Sequence, residues 1–475
     1  MKQDDVRMLA VELPEDILKA KWAGDFNRAD RLIDWYLRSD RVPEFMKKRL
    51  LVEREILEHL PEDYAYTLEE GLALMQQDIP DFTMEELETL IDERKVDWLY
   101  IDGTLRLAAR FYQTLRDVNP DIARRAGVRQ ENYNAAEVID VRDAAIADMK
   151  AKGCVAARIR LKASITVAPE SFREGDVLVH LPIPKPQINM KNIRILRTFP
   201  SQGEGGCEVF IGSEDQPQRT VAFREHITEN HPFEVEYEFE ADAKYHDLTK
   251  TPEAGEAACG LEQAMASGMV RPEDLEEIPP HIRFTEAIKA LRDELAGEET
   301  DPLILARRFY DYVTTKVVYS YSRQYFTHEQ IPEYAALNLR GDCGIQALLF
   351  ITLCRSAGIP ARWQSGLYVE PDEAGMHDWA MFYVEPYGWL FADASFGGSA
   401  FRSGNTERWN HYFGNLDCFR MAANDAFQAG LIPEKQHSRR DPYDSQAGEI
   451  EYSDKGLYVK DTIRHQEVIE FTRLD

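Results

Sequence analysis

Three residues in the last third of this 475-residue chain have the types and the order that nucleophilic acyl transfer requires, namely Cys343, His377 and Asp393. A cysteine can attack a carbonyl carbon, a histidine can take the thiol proton, and a carboxylate can orient the histidine. This chemistry depends on helices and strands that bring the three side chains together.

Cys343 opens a predicted helix. Gly341 and the potential N-cap Asp342 precede it, the apolar run 345–353 follows, and Gly358 ends the helix. The unpaired backbone N–H groups and the positive end of the helix dipole favour a thiolate at this position. We therefore expect the pKa of the Cys343 thiol to be lowered.

A predicted β-hairpin separates His377 from Asp393. Residues 378–384 and 389–392 have the apolar composition and length of strands, and the sequence between them predicts a turn. If the two strands pair, His377 and Asp393 lie at the same end of the hairpin, close enough for the carboxylate to orient the imidazole.

The strings GDCGIQALLF, GIPAR and HDWAMFYVEPYGWLFAD resemble the transglutaminase-like superfamily over about residues 302–417. The resemblance implies a papain-like core in which Cys343, His377 and Asp393 act through a thioester. It favours a cysteine-dependent amide or peptide hydrolase like many bacterial relatives. A protein-glutamine amine transferase, and a non-catalytic binding or scaffold protein with the same fold, are the alternatives.

The same resemblance suggests where an oxyanion would be stabilised. In transglutaminase-like enzymes the region upstream of the cysteine often lends a side chain to the oxyanion hole. Tyr319, Tyr321 and Gln324 are the candidates here, beside the backbone N–H of Cys343.

Aromatic residues around the triad are candidates for the substrate cleft. The block 411–425, which includes Tyr412, resembles a segment that follows the triad in bacterial relatives, and we expect it to form one wall. Trp363, Tyr368 and Trp379 could supply apolar surface for a substrate side chain. Core packing is the alternative for both tryptophans.

Residues 1–152 are predicted to form a helical domain. Helices are expected at 15–23, 27–37, 43–60, 104–116 and 135–151. Two capping boxes, Thr67 with Glu70 and Thr83 with Glu86, predict two more helix starts. No catalytic motif occurs in this part of the sequence, so packing or partner binding is the expected role.

Residues 153–248 alternate between polar and apolar side chains, which is typical of half-buried antiparallel strands. We interpret them as an immunoglobulin-like β-sandwich. Residues 249–475 then form the catalytic domain, giving a multidomain α+β protein. The last strands are expected to complete the catalytic sheet or its edge, and Asp441 and Asp444, which flank Pro442, to serve as turn residues.

Composition excludes several functions. The net charge of −28 argues against a nucleic-acid partner. Solubility explains this charge, and attraction of a cationic substrate is the alternative. No apolar run reaches the roughly 18 residues of a membrane span, so no membrane partner is expected.

Because the six cysteines form no CxxC pair, we predict no metal site and no cofactor. The expected setting is cytoplasmic, with a peptide, protein or small amide as substrate.

Overall fold

A computed structural model describes residues 2–127, 140–250, 252 and 258–474. The N-terminal part is mostly helical and also contains a small three-stranded sheet of order β1-β3-β2. Its helices are α1 Glu15–Trp22, α2 Phe26–Arg38, α3 Glu44–Asp63, α4 Leu68–Gln76, α5 Met84–Asp92, α6 Phe111–Val118, α7 Pro120–Arg125 and α8 Val141–Lys152. Its strands are β1 Tyr66–Thr67, β2 Trp98–Ile101 and β3 Thr104–Leu107.

Both predicted capping boxes are present. The Thr67 and Thr83 hydroxyls accept the N–H groups of Glu70 and Glu86, whose carboxylates accept the threonine N–H groups in return. The helix predicted over 104–116 is wrong in its first half, because 104–107 pairs as a strand with β2. The first residues of the helix predicted over 135–151 lie outside the residues that the structure describes.

Six strands follow the N-terminal helices and pair antiparallel. Along β4, buried residues alternate with more exposed ones, which is the pattern of a sheet with one covered face. The strands are β4 Cys154–Val167, β5 Gly175–Pro182, β6 Met190–Phe199, β7 Glu208–Ile211, β8 Thr220–Ile227 and β9 Phe233–Lys244.

Cys343, His377 and Asp393 belong to a unit in which helices pack on a five-stranded antiparallel sheet. Its helices are α9 Leu261–Ala266, α10 Glu286–Ala296, α11 Pro302–Lys316, α12 Ile331–Asn338, α13 Cys343–Ser356, α14 Ala394–Arg402 and α15 Thr406–His411. A separate parallel pair consists of β10 Val318–Tyr319 and β11 Arg340–Gly341. The strands of the sheet are β12 Ala361–Val369, β13 Ala374–Val384, β14 Gly388–Ala392, β15 Phe413–Gly414 and β16 Arg420–Asn424. Their order in the sheet is β15-β14-β13-β12-β16.

Helix α13 is the centre of this unit. It packs against β12, β13, α11 and α12, and nearly all of its side chains are buried. A helix that is apolar on every side is stable only when other elements surround it. The buried helix therefore fixes the position of its first residue, Cys343, against the sheet.

The last two strands correct the predicted domain organisation. Strand β17 Glu449–Tyr452 pairs with β5, and β18 Thr462–Leu474 pairs with β4. The resulting four-stranded sheets have the orders β17-β5-β8-β7 and β18-β4-β9-β6. Strands β17 and β18 thus complete the sheets of residues 154–244 and not the five-stranded sheet, which the sequence analysis had expected them to complete. The alternating pattern of the tail predicted strands but carried no information about their partners.

No helix in the described part of the chain is both long and apolar enough to cross a membrane.

Candidate active site

Cys343 lies in the first turn of α13, as the sequence predicts. The Asp342 carboxylate caps the helix by accepting the N–H of Ile345 at 3.2 Å. Gly341 leaves room for this turn, since a Cβ atom there would lie 2.3 Å from Cγ2 of Ile345. The Cys343 side chain is partly exposed, whereas Cys354, further along the same helix, is fully buried.

The expectation of a lowered thiol pKa is wrong. Burial raises the pKa of Cys343 well above its ordinary value, and the carboxyl groups of Asp378 and Asp342 act in the same direction. The thiol donates a hydrogen bond to Asp378 Oδ2 at 3.5 Å. Two acidic neighbours therefore oppose the helix dipole, and the cysteine stays a thiol until a base removes its proton.

His377 and Asp393 meet at one end of the predicted hairpin, which the pairing of β13 with β14 confirms. His377 Nε2 donates to Asp393 Oδ2 at 2.7 Å, and both side chains are buried. Asp393 Oδ1 also accepts the N–H of Phe396 at 2.9 Å and so caps α14. The carboxylate is thus fixed by the helix start as well as by the imidazole.

Arg420 holds Asp393 from the other side. Its guanidinium donates to Asp393 Oδ2 at 2.8 Å and to Asp417 Oδ1 at 3.0 Å, and Asp417 accepts the Tyr412 hydroxyl at 2.6 Å. Burial alone would raise the pKa of Asp393, but His377 and Arg420 lower it well below its usual range. Sequence reasoning missed Arg420, although it marked the block 411–425 that contains it.

The imidazole of His377 is neutral and can therefore accept a proton. Burial lowers its pKa, although Asp393 acts in the opposite direction. Because Nε2 carries the hydrogen that is donated to Asp393, the basic nitrogen is Nδ1. The ring of Phe396 packs on the imidazole with centroids 4.4 Å apart and restricts its rotation.

Cys343 and His377 line one open cleft of about 620 Å³. The N-terminal helical part contributes Arg110, Gln113 and Asp117 to the walls of this cleft. No catalytic motif occurs in that part of the sequence, so its contribution to the cleft was not predicted.

All three oxyanion candidates line the cleft. The pairing of β10 with β11 places Tyr319 opposite Gly341, two residues before the cysteine. Burial raises the pKa of Tyr319, as does Cys343, so its hydroxyl keeps its proton and can donate. Tyr321 lies under the guanidinium of Arg110, 3.3 Å from the ring centroid. Gln324 donates its backbone N–H to Asp63.

Of the four aromatic residues predicted for the cleft, Tyr368 lines it and the other three do not. Trp363, Trp379 and Tyr412 are 1%, 0% and 0% exposed and belong to the core. The two tryptophans are on β12 and β13, whose buried faces pack against helices and loops, and Trp379 donates to Gln364 at 2.6 Å. The presence of aromatic residues near the triad in the sequence did not show which of them pack in the core and which line the cleft.

The two acidic residues that were expected to serve as turn residues also line the cleft. Asp441 does accept the N–H of Tyr443 at 2.9 Å, as a turn residue would. However, Asp441 and Asp444 line the same cleft as Cys343, together with Asp378 and Asp342.

Comparison with known proteins gives one family match. Residues 289–394 match the model of the transglutaminase-like superfamily, and this range contains Cys343, His377 and Asp393. No curated protein matches the chain significantly.

The solved structures that are similar to parts of the chain include those of two bacterial proteins. A "putative cysteine protease" from Cytophaga hutchinsonii is 15% identical, with 68% of this chain and 91% of that chain covered and a TM-score of 0.42. The periplasmic domain of TgpA from Pseudomonas aeruginosa is 14% identical, with 56% and 95% covered and a TM-score of 0.28. At these values neither similarity transfers an activity to this chain.

Proposed function

We propose that the chain is a cysteine-dependent hydrolase of amides or peptides, and the match of residues 289–394 to the model of the transglutaminase-like superfamily supports this proposal. The observation that carries the proposal is the hydrogen bond of 2.7 Å by which the buried Asp393 holds His377, a residue that lines the same cleft as Cys343. A histidine held in one tautomer beside a thiol at a helix start is the arrangement that thioester chemistry needs.

The proposed reaction has two steps, acylation of Cys343 and hydrolysis of the resulting thioester. First, the Cys343 sulfur bonds to the carbonyl carbon while its proton passes to His377 Nδ1. The tetrahedral intermediate collapses, the C–N bond breaks, and the imidazolium returns the proton to the leaving amine. Water then attacks the thioester, giving its proton to His377, and the C–S bond breaks to release the acid and restore the thiol.

The environment of each group supports its role in these steps. The lowered pKa of His377 keeps the imidazole neutral before the attack. The imidazolium formed during the attack is stabilised by the negative charge of Asp393. Burial alone would raise the pKa of Asp393, but His377 and Arg420 lower it below its usual range, so the carboxyl group is ionised. Tyr319 and the backbone N–H of Cys343 are the donors that we assign to the developing oxyanion.

Hydrolysis is favoured over amine transfer by the position of the two tryptophans. A transferase must hold an amine acceptor while keeping water away from the thioester. The two tryptophans predicted for the cleft, Trp363 and Trp379, would be the candidates for an aromatic gate around such an acceptor, but both are buried in the core. The cleft beside Cys343 is instead open and lined largely by polar side chains.

The test is an incubation of the protein with a library of glutamine-containing peptides and a fluorescent primary amine. Released ammonia, cleaved peptide and incorporated amine are followed together. We expect ammonia or cleaved peptide to exceed incorporated amine, and Cys343→Ala to form none of the three. Amine incorporation that outpaces hydrolysis would favour the transferase, and no product from the wild-type protein would favour a binding or scaffold role.

A further inference from the structure

A serine hydroxyl that is hydrogen-bonded to a buried histidine lines the cleft of Cys343. Ser322 lies in the segment that follows β10, and its Oγ atom is 2.8 Å from Nε2 of His328. The short 3₁₀ turn Tyr325–Thr327 brings His328 back to this serine. Ser322 is partly exposed and lines the cleft, whereas His328 is 2% exposed. The mechanism proposed above uses neither residue.

His328 is neutral. Burial lowers the pKa of His328 well below its ordinary value, and the nearby side chains of Arg323 and His281 act in the same direction. A neutral imidazole carries one hydrogen, on either Nδ1 or Nε2, and its other nitrogen is an acceptor. The role of Ser322 in the hydrogen bond depends on which nitrogen carries that hydrogen.

The surroundings of Nδ1 assign the hydrogen. Nδ1 of His328 is buried and has no hydrogen-bond partner among the residues that the structure describes. A hydrogen on Nδ1 would therefore be a buried donor without an acceptor, which is costly. The edge contact with Tyr334, 4.5 Å between ring centroids, does not replace an acceptor, because an aromatic ring accepts only weakly. The hydrogen is thus on Nε2, which donates to Ser322 Oγ.

This assignment leaves the hydrogen of the Ser322 hydroxyl for another acceptor. Within the described part of the chain, the bond with His328 is the only hydrogen bond of the Ser322 side chain. Because Ser322 lines the cleft, its hydroxyl can donate to solvent in the free protein and to a substrate group that displaces the solvent.

The backbone places Ser322 within reach of a short peptide bound at Cys343. The N–H of Ser320 donates to the carbonyl oxygen of Gly341 at 3.1 Å. Ser322 follows Ser320 by two residues, and Cys343 follows Gly341 by two, and two residues of extended chain span at most about 7 Å. A substrate of a few residues can therefore contact both the sulfur and the Ser322 hydroxyl.

We propose that Ser322 forms a subsite for a carbonyl oxygen of the substrate other than the one that Cys343 attacks. The proposal rests on the hydrolase function argued above. A neutral hydroxyl suits a neutral acceptor such as a peptide carbonyl, and the bond from His328 strengthens the hydroxyl as a donor, because linked hydrogen bonds polarise one another. The substrate class is therefore a peptide, which offers several carbonyl groups, in preference to a small amide, which offers one.

The test compares acetyl-Gly-Gln-Gly-amide with butanamide, which keeps an amide and has no second carbonyl group. We expect Ser322→Ala to lower kcat/KM for the peptide about fivefold, mainly through KM, as for the loss of one neutral hydrogen bond. The variant should leave kcat/KM for butanamide unchanged. Ser453→Ala, which changes an exposed serine outside the cleft, is the control. An equal change for both amides, or no change for the peptide, would overturn the subsite.

A binding measurement separates this proposal from the proposed function. In the inactive Cys343→Ala protein, the further change Ser322→Ala should weaken binding of acetyl-Gly-Gln-Gly-amide about fivefold in calorimetry, and Ser453→Ala should not. This loss without any turnover by the wild type would support the subsite and contradict the hydrolase. Turnover without this loss would do the reverse, and a peptide that neither binds nor reacts would contradict both.

The tautomer of His328 gives a test that needs neither a substrate nor a Ser322 variant. Nuclear magnetic resonance spectra that correlate the ring hydrogens with both ring nitrogens show which nitrogen of a neutral imidazole is protonated. We expect the hydrogen on Nε2 of His328 in the wild type. A hydrogen on Nδ1 would mean that Ser322 donates to His328, has no hydrogen left for a substrate, and is not the proposed subsite.

Discussion

At the scale of single residues, the protonation of Cys343 results from opposing influences. The start of α13 favours the thiolate, whereas burial and the carboxyl groups of Asp378 and Asp342 favour the thiol, and the second set prevails. His377 is neutral for the same reason of burial. The pair therefore consists of a thiol and a neutral imidazole, and in the proposed mechanism proton transfer accompanies the attack on substrate.

Replacing Asp378 by Asn should lower the pKa of Cys343, because the variant lacks the negative charge that Asp378, whose own pKa is raised by burial, carries once it is ionised. Near pH 7.5 we expect iodoacetamide to alkylate Cys343 several-fold faster in the variant, since one pKa unit is a tenfold change in thiolate. The two proteins should converge at high pH. Mass spectrometry of the labelled peptide gives the alkylation rate. Asp372→Asn, which changes an exposed carboxylate outside the cleft, is the control. An alkylation rate in Asp378→Asn that equals or falls below the wild-type rate would refute the influence assigned to Asp378.

Replacing Arg420 by Met should destabilise the protein. The buried carboxylates of Asp393 and Asp417 would lose the guanidinium that compensates them, and removing one partner of a buried ion pair costs about 3–5 kcal/mol. Urea unfolding followed by tryptophan fluorescence measures this loss. Arg420→Lys keeps a positive charge and should lose less, so equal stability of the Met variant and the wild type would contradict the proposed compensation.

At the scale of elements, the β13–β14 hairpin and the starts of helices α13 and α14 position Cys343, His377 and Asp393. The N-cap Asp342, the β13–β14 pairing and both capping boxes were predictable, because each depends on residues close together in sequence. Arg420, Asp378 and Asp444 were not recognised, because what they contact is distant along the chain and charge alone does not identify a partner. The burial of Trp363 and Trp379 was undecided for the same reason.

Replacing Gly344 by Ala tests how tightly these elements meet behind the nucleophile. A Cβ atom at this position would lie 2.8 Å from Asp378 Oδ2 and 3.0 Å from Trp363. We expect a loss of about 1–3 kcal/mol in unfolding free energy from this overpacking, despite the higher helix propensity of Ala. Gly430→Ala, where no atom lies within 4 Å of the new methyl group, is the control and should change little. An equally stable Gly344→Ala protein would show that α13 and β13 can move apart.

At the scale of the whole molecule, the N-terminal helices are joined to segments that line the cleft of Cys343. Gln324 donates its backbone N–H to Asp63 at 3.0 Å, Arg323 donates to Tyr64 at 3.1 Å, and Gln113 donates to the Tyr321 hydroxyl at 3.2 Å. The sequence predicted the helices but not this contact, because the residues involved are more than 200 positions apart. The carboxyl-terminal strands likewise return to the sheets of residues 154–244.

The pH dependence of stability should report on this junction. Burial raises the pKa of Asp63 to about 7 in the folded protein, above its unfolded value of about 4. Its contribution to stability is therefore fully present below about pH 4 and is lost as the pH rises to about 7. Asp63→Asn lacks this loss, so its unfolding free energy relative to the wild type should increase between pH 5 and pH 8, by on the order of 1 kcal/mol or more. A constant difference across this range would mean that Asp63 is not buried against Gln324.

The central claim, that Cys343 forms a thioester in the cleft with His377 and Asp393, is tested most directly by trapping the acyl-enzyme. The protein is mixed with aminoacyl and peptidyl amides, quenched in acid within milliseconds to seconds, and analysed by intact-mass and peptide mass spectrometry. We predict a mass increase equal to the acyl group, located at Cys343, which forms in the wild type, accumulates more slowly in Asp393→Asn and does not form in Cys343→Ala. Amide hydrolysis that persists in Cys343→Ala, or an acyl group located at another residue, would contradict the account.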